Sequence, residues 1–200
     1  MTDINRKQFF NAIRPHGGEG FTQQQVDSIN TLLDEGVSKM PNVQALAYLM
    51  ATAYHETGMT MLPIAEYDKG RGMDYGKALD MGSGPGHRVP YKGSILYYGR
   101  GYVQITWRIN YKGMVKITGK DLVADPELAL QPDVAAVIAV QGMLRGYFTG
   151  KMIKDYFPNK AGKHDPLNAR RIINGLDCSK KIADYYTIIL HAFQTNELIA

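Results

Sequence analysis

The chain has 200 residues, a single cysteine and a formal net charge of +4. That length lets a folded chain bury roughly 70% of the surface its unfolded form exposes, so a core needs neither metal nor disulfide. Cys178 alone excludes an internal disulfide and a cysteine-based metal cluster. No apolar run approaches the ~18 residues a membrane span requires, and residues 1–8 lack the basic-then-apolar pattern of a secretory leader. Synthesis in the cytoplasm without stable membrane insertion is the expectation.

The charge is uneven. Residues 1–100 hold 10 basic and 10 acidic side chains, and residues 101–200 hold 13 and 9. The second-half cluster of Arg145, Lys151, Lys154, Lys160, Lys163, Arg170, Arg171, Lys180 and Lys181 reads either as a solvated face or as a surface drawn to a polyanion. No recognition-helix or RNA-binding signature accompanies it, so a nucleic-acid partner is not expected.

In chain order, Thr22 to Gln25 form a capping box, and Val26, Ile29, Leu33 and Val37 follow at helical spacing until Pro41. A second helix is predicted over 42 to about 55, with Val43, Leu46, Ala47, Met50, Ala51 and Tyr54 on its apolar side and Glu56 at its C-terminal end. An anionic side chain there meets the negative end of the helix dipole, which favours its protonated form. From 58 to 98 the pattern breaks into Gly, Pro, Asp and Tyr. This reads as a long irregular wall, with a small hairpin or short helix near 77–81, of the kind that lines binding clefts. Its glycine clusters at 69–72 and 82–86 follow no apolar strand and carry no Gly-Lys-Ser/Thr, so nucleotide binding is not implied. Position 59 is Met where a zinc-protease helix beginning His55-Glu56 needs His, so neither zinc nor another cofactor is expected.

Helical patterning then resumes. Thr106 is a candidate cap for a helix over 107–117, Asp125-Pro126 opens another, and 133–148 reads as a long apolar helix. Asp165-Pro166 opens a short helix to 173. Ser179 starts a last one carrying Ile182, Tyr185, Tyr186, Ile189 and Phe193, whose stripe suits core packing better than membrane contact. The expected architecture is mainly α, one domain over 1–200 with two possible lobes around a cleft and no appended binding module.

Two glutamates carry the chemistry. Glu56 and Glu66 lie ten residues apart on different elements, the first after an apolar helix and the second in the glycine-rich wall. Glycoside hydrolysis needs one carboxyl that donates a proton and one that stays ionised, so contrasting surroundings suit such a pair. Trp107, the only tryptophan, is either a sugar-stacking ring or a core anchor. Arg100 sits in a Gly-Arg-Gly turn and is a candidate for either structure or binding.

Four segments, taken together, resemble glycoside hydrolase family 19, which holds plant-type chitinases and many phage endolysins. They are His55-Glu56-Thr57-Gly58, Ile64-Ala65-Glu66, the run from Tyr97 to Trp107 with Asn110-Tyr111, and the run from Ile172 to Cys178. The resemblance runs from about 45 to 193 and is greatest to the compact endolysin branch. It implies a lysozyme-like helical fold, Glu56 as general acid, Glu66 as general base, and Thr106 holding the attacking water. It also implies that Gln104, Asn110, Tyr111 and Asn174 line the sugar subsites, to which the residues themselves add Tyr98, Arg100 and Trp107 as candidate sugar contacts. An inverting enzyme of this kind sets its carboxyl groups about 6.5–9.5 Å apart. Two departures stand out: Asn174-Gly175-Leu176 replaces the usual Asn-Gly-Gly, and the second glutamate follows the first more closely than in chitinases, which leaves Asp68 as a rival base.

The expected function is a monomeric endolysin that cuts peptidoglycan glycan strands between N-acetylmuramic acid and N-acetylglucosamine, reaching the wall with a holin-type export partner. A chitinase is the alternative enzyme, and a non-catalytic wall- or nucleic-acid-binding protein the alternative from another class.

Overall fold

The computed structural model describes residues 4–14, 20–81, 88–90, 93–159 and 163–194. Among the described residues six α-helices dominate: α1 (Arg6–Ala12), α2 (Gln23–Lys39), α3 (Val43–Glu56), α4 (Arg108–Thr118), α5 (Pro132–Arg145) and α6 (Ser179–Gln194). Four very short strands accompany them: β1 (Ile64–Ala65), β2 (Leu79–Met81), β3 (Arg88–Pro90) and β4 (Arg100–Gly101). They form two antiparallel pairs, β1 with β4 and β2 with β3. The mainly α expectation holds.

Local sequence accounts for the helix limits. The capping box at α2 forms: the Thr22 hydroxyl accepts from the Gln25 backbone N–H at 3.3 Å, and the Gln25 carboxamide accepts from the Thr22 N–H at 2.9 Å. Asn42 caps α3 by accepting from the Ala45 N–H at 2.8 Å, and α4 and α5 stop at left-handed Gly119 and Gly146. Thr106 does not cap α4. The N-cap is Trp107, at φ 68°, with no side-chain cap bond. The 77–81 region resolves as the β2–β3 pair, while the glycine cluster at 82–86 lies outside the described residues. The segments after Asp125 and Asp165 settle as 3-10 turns, Pro126–Leu130 and Asn168–Ile172. Helix α1 was not legible in the pattern. Seven residues with one fully buried side chain, Phe9, give too little periodicity; Phe9 stacks on Phe193 at 5.1 Å.

Helix α3 is the centre of the core. Residues 45–53 are all buried, so the helix has no solvent face over that stretch. Gly36 lets α2 approach it: a Cβ there would stand 2.6 Å from a Leu46 methyl and 3.0 Å from one of Leu49. Helix α6 packs along α3 with Ile182, Tyr186, Ile189 and Phe193 buried, the core role its stripe suggested. On α2, the Ser28 hydroxyl donates to the Met61 carbonyl at 2.7 Å, and Tyr102 donates to the Ser28 carbonyl at 2.9 Å. These buried bonds fasten to one helix both the stretch between Glu56 and Glu66 and the chain leaving β4, the strand that pairs with β1 just before Glu66.

Candidate active site

One wall begins at the end of α3. Glu56 is its last residue, with 15% of the side chain exposed, and its Oε1 accepts from Arg170, whose own side chain is 4% exposed. Arg170 belongs to the 3-10 turn before α6, and its Nε donates to the Asp177 carbonyl at 3.0 Å. Arg170 therefore does not join a solvated basic face, as the second-half cluster suggested. The carboxylate that ends the helix is thus in contact with a buried guanidinium. Beside it, burial lowers the His55 pKa; Glu56 opposes that shift, and Arg170 and Lys181 reinforce it.

The other wall is irregular backbone held by a two-residue strand pair. Glu66 follows β1, and its N–H donates to the Gly99 carbonyl at 2.7 Å. Its carboxylate accepts twice, from the Tyr75 hydroxyl at 2.8 Å (Oε1) and from the Gly99 N–H at 3.0 Å (Oε2). Burial first, and then Glu66, push the Tyr75 phenol up to about 12, so it stays protonated and donating at neutral pH. Gly99 leaves room for two side chains: a Cβ there would stand 2.7 Å from the Gln104 Oε1 and 3.3 Å from the Glu66 Oε2, so a larger residue would displace them. Gln104, at φ 53°, donates from Nε2 to the Ile64 and Gly101 carbonyls, both at 3.0 Å, tying β1 to the turn after β4.

Between the walls lies a cleft of about 530 Å³ lined by both glutamates and by Met73, Tyr75, Gln104, Thr106, Trp107 and Asn174, among others. A second hollow of about 450 Å³ continues it, sharing Gln104, Thr106, Trp107 and Asn174 and adding Asn110 and Thr149. The Asn110 amide donates to the Thr106 carbonyl at 2.9 Å, and Trp107 meets the Tyr75 ring edge-on at 5.6 Å. Trp107 thus lines the cleft and braces it at once. Asp68 is exposed, sits at φ 58° and is not part of the lining, so the second carboxylate of this cleft is Glu66.

Three expected sugar contacts sit elsewhere. Tyr111 is fully buried and donates to the Tyr98 carbonyl at 2.7 Å. Tyr98 is 4% exposed; its ring lies under the Arg100 guanidinium at 3.6 Å and its hydroxyl donates to Glu127 at 3.1 Å. Arg100 is 2% exposed and bridges Glu127 at 2.7 Å. None of the three lines either hollow; they form a polar brace behind the Glu66 wall. Aromatic residues beside an Arg in a glycine turn look alike in sequence whether they face a ligand or each other. Conversely, Arg170 and Tyr75 were missed. The flanking apolar Ala169 and Ile172, both buried, were the available sign that the Arg170 turn packs inward.

A helical fold whose open polar cleft is lined by two carboxylates from separate elements, one paired with a guanidinium and one accepting two hydrogen bonds, has the groups that glycoside hydrolysis requires. The family model for chitinase class I, glycoside hydrolase family 19, matches residues 26–174. The chain belongs to glycoside hydrolase family 19. A bacterial family 19 chitinase structure is similar over 96% of each chain, with 22% identity and a TM-score of 0.64. Chitinase C from Streptomyces griseus is similar over 96% of this chain and 77% of its own, with 20% identity and a TM-score of 0.61. A class IV chitinase from Zea mays is similar over 94% and 92%, with 21% identity and a TM-score of 0.60. No curated protein sequence matches the chain.

Proposed function

We propose that the protein is a peptidoglycan-cleaving endolysin that hydrolyses the β-1,4 link between N-acetylmuramic acid and N-acetylglucosamine with inversion. The observation that carries the reading is the joint placement of Glu56 and Glu66 on one open cleft that continues past Trp107. Glu56 donates its proton to the glycosidic oxygen, and Arg170 stabilises the carboxylate left behind. Glu66, already oriented by Tyr75 and Gly99, takes a proton from a water that attacks the opposite face of the sugar. The Thr106 hydroxyl holds that water, and Gln104, Trp107, Asn110 and Asn174 contact the sugars.

The net positive charge favours an acidic wall polymer over neutral chitin. The protein acts as a monomer on the wall after release from the cytoplasm of the cell that makes it, through a holin-type partner. A chitinase acting on N-acetylglucosamine polymers is the second reading, favoured by the chitinase description of the matching family model. Digestion of purified sacculi and of chitin oligomers, followed by mass spectrometry of the reducing ends, separates the two. New N-acetylmuramic acid reducing ends from sacculi support the endolysin; cleavage of chitin oligomers alone overturns it in favour of the chitinase. Activity on sacculi is expected to fall as salt rises through ~0.1 M, and a flat response removes the charge-based part of the reading.

A further inference from the structure

Two cations of the second half, Lys116 near the end of α4 and Arg145 at the end of α5, line an open hollow of about 540 Å³ that shares no residue with the cleft. Glu35, Lys39, Gln141 and Tyr147 line it too. Its charge is not cancelled from within. Glu35, the one carboxylate in the lining, already accepts from Lys39 on the next turn of α2 at 2.6 Å. The Arg145 Nε donates to the neutral Gln141 Oε1 at 2.9 Å, and the Lys116 ammonium has no hydrogen bond or ion pair among the described residues. Both cations are exposed, so two uncompensated positive charges from different helices face one recess. Such a recess attracts an anion.

Its position says which anion. Ile109, Gly113 and Lys116 recur at four and three residues and so share one face of α4. Ile109 lines the second hollow of the cleft and Lys116 the basic hollow, about 10 Å further along the helix axis. Between them lies the turn after α5. A Cβ on Gly113 would stand 3.0 Å from the Tyr147 ring, and one on Gly142 would stand 2.1 Å from the ring of Phe148, so each aromatic sits against a glycine of its own helix. Tyr147 borders the basic hollow, while Phe148 and Thr149 border the cleft hollow. One face of α4 and one short turn therefore join the cleft to the basic recess.

We infer that the basic hollow is a second wall-binding site, which takes carboxylates of the peptide stems on the same strand whose sugars occupy the cleft. The inference rests on the endolysin reading, because chitin carries neither peptides nor carboxylates. The Arg145 guanidinium offers a planar fork to a carboxylate, and Lys116 adds a second charge beside it. A strand already held in the cleft presents its stems at high effective concentration, so weak contacts at the hollow add to affinity. These contacts are the same before and during bond breaking. They lower KM and leave kcat alone.

The test is pull-down of purified sacculi by the Glu66→Gln chain, in which turnover is suppressed, alone and with Lys116→Gln/Arg145→Gln added. The added pair is expected to weaken sacculus binding about tenfold at low salt. A control pair, Lys154→Gln/Lys180→Gln, removes the same charge at exposed positions outside both the hollow and the cleft, and is expected to weaken binding less than about twofold. Sacculi stripped of their stems by an amidase are expected to bind the parent and the Lys116→Gln/Arg145→Gln chain alike. With Glu66 restored, that pair is expected to raise KM on soluble peptide-bearing strands with kcat unchanged. No sacculus binding by the parent, no loss in the hollow pair, an equal loss in the control pair, or an equal loss on stripped sacculi each overturns the site. Binding is read without catalysis, so the two failures differ: a wild type that cuts chitin oligomers alone marks failure of the endolysin reading, whereas failure of the site shows in the pull-down while sacculi are still cut.

Discussion

The two walls of the cleft are built in opposite ways. The Glu56 wall is the end of a fully packed helix, and its carboxylate is anchored by a buried guanidinium. The Glu66 wall is a two-residue strand followed by a turn with Asp68 and Lys69 at positive φ, and its carboxylate is oriented by one phenol and one backbone N–H. Rigidity on the first side comes from core packing, and on the second from hydrogen bonds around Gly99, Gln104 and Tyr75. Damage to the first wall should therefore show as lost stability as well as lost activity, whereas damage to the second should show chiefly as lost activity.

The largest effect on this contrast is chemical. Glu56→Gln and Glu66→Gln keep the shape of each wall and remove its proton chemistry, so each is expected to lower kcat by about 10²- to 10⁴-fold while circular dichroism shows a folded chain. Next is Arg170→Met, which leaves Glu56 part-buried without its charge partner; a loss of about 3–5 kcal/mol in denaturant unfolding is expected. On the other wall, Gly99→Ala pushes on Gln104 and Glu66 and is expected to cost about 10- to 100-fold in kcat/KM with a melting temperature nearly unchanged. A stability loss as large as that of Arg170→Met would erase the contrast.

The smallest effect concerns the brace behind the Glu66 wall. Burial alone would raise the Glu127 carboxyl, but the Arg100 guanidinium and the Tyr98 hydroxyl outweigh it and hold it below its ordinary range. A carboxyl depressed in the folded state contributes stability above its unfolded value, near 4.5, that is lost as pH falls through the folded value. The Glu127 side chain is 56% exposed, so solvent screening keeps the contribution under about 1 kcal/mol. Wild type and Glu127→Gln are expected to differ slightly in melting temperature at neutral pH and to converge as pH drops below ~4.5.

Much of this was legible in sequence where one physical rule dominated. The α2 box, the α3 stripe ending at Glu56 and the α6 stripe each follow from periodicity and capping, and the long break after Gly58 marked the cleft wall. Contacts between distant segments were not legible. The Glu56–Arg170 pair joins residues 114 apart, and Tyr98, Arg100 and Tyr111 turn inward because Glu127, on another element, gives the guanidinium a partner. Likewise Trp107 takes a left-handed backbone that its residue type does not advertise, so the helix start moved one residue beyond the expected Thr106 cap.

The pairing of an acid on one wall with a water-activating base on the other is tested most directly by the anomeric configuration of the nascent reducing end, followed by proton NMR during early hydrolysis of a glycan-strand substrate. Water delivered from the Glu66 side yields the α anomer first, relaxing later to the equilibrium mixture. First appearance of the β anomer would mean that the second carboxylate attacks the sugar itself, and would contradict the account.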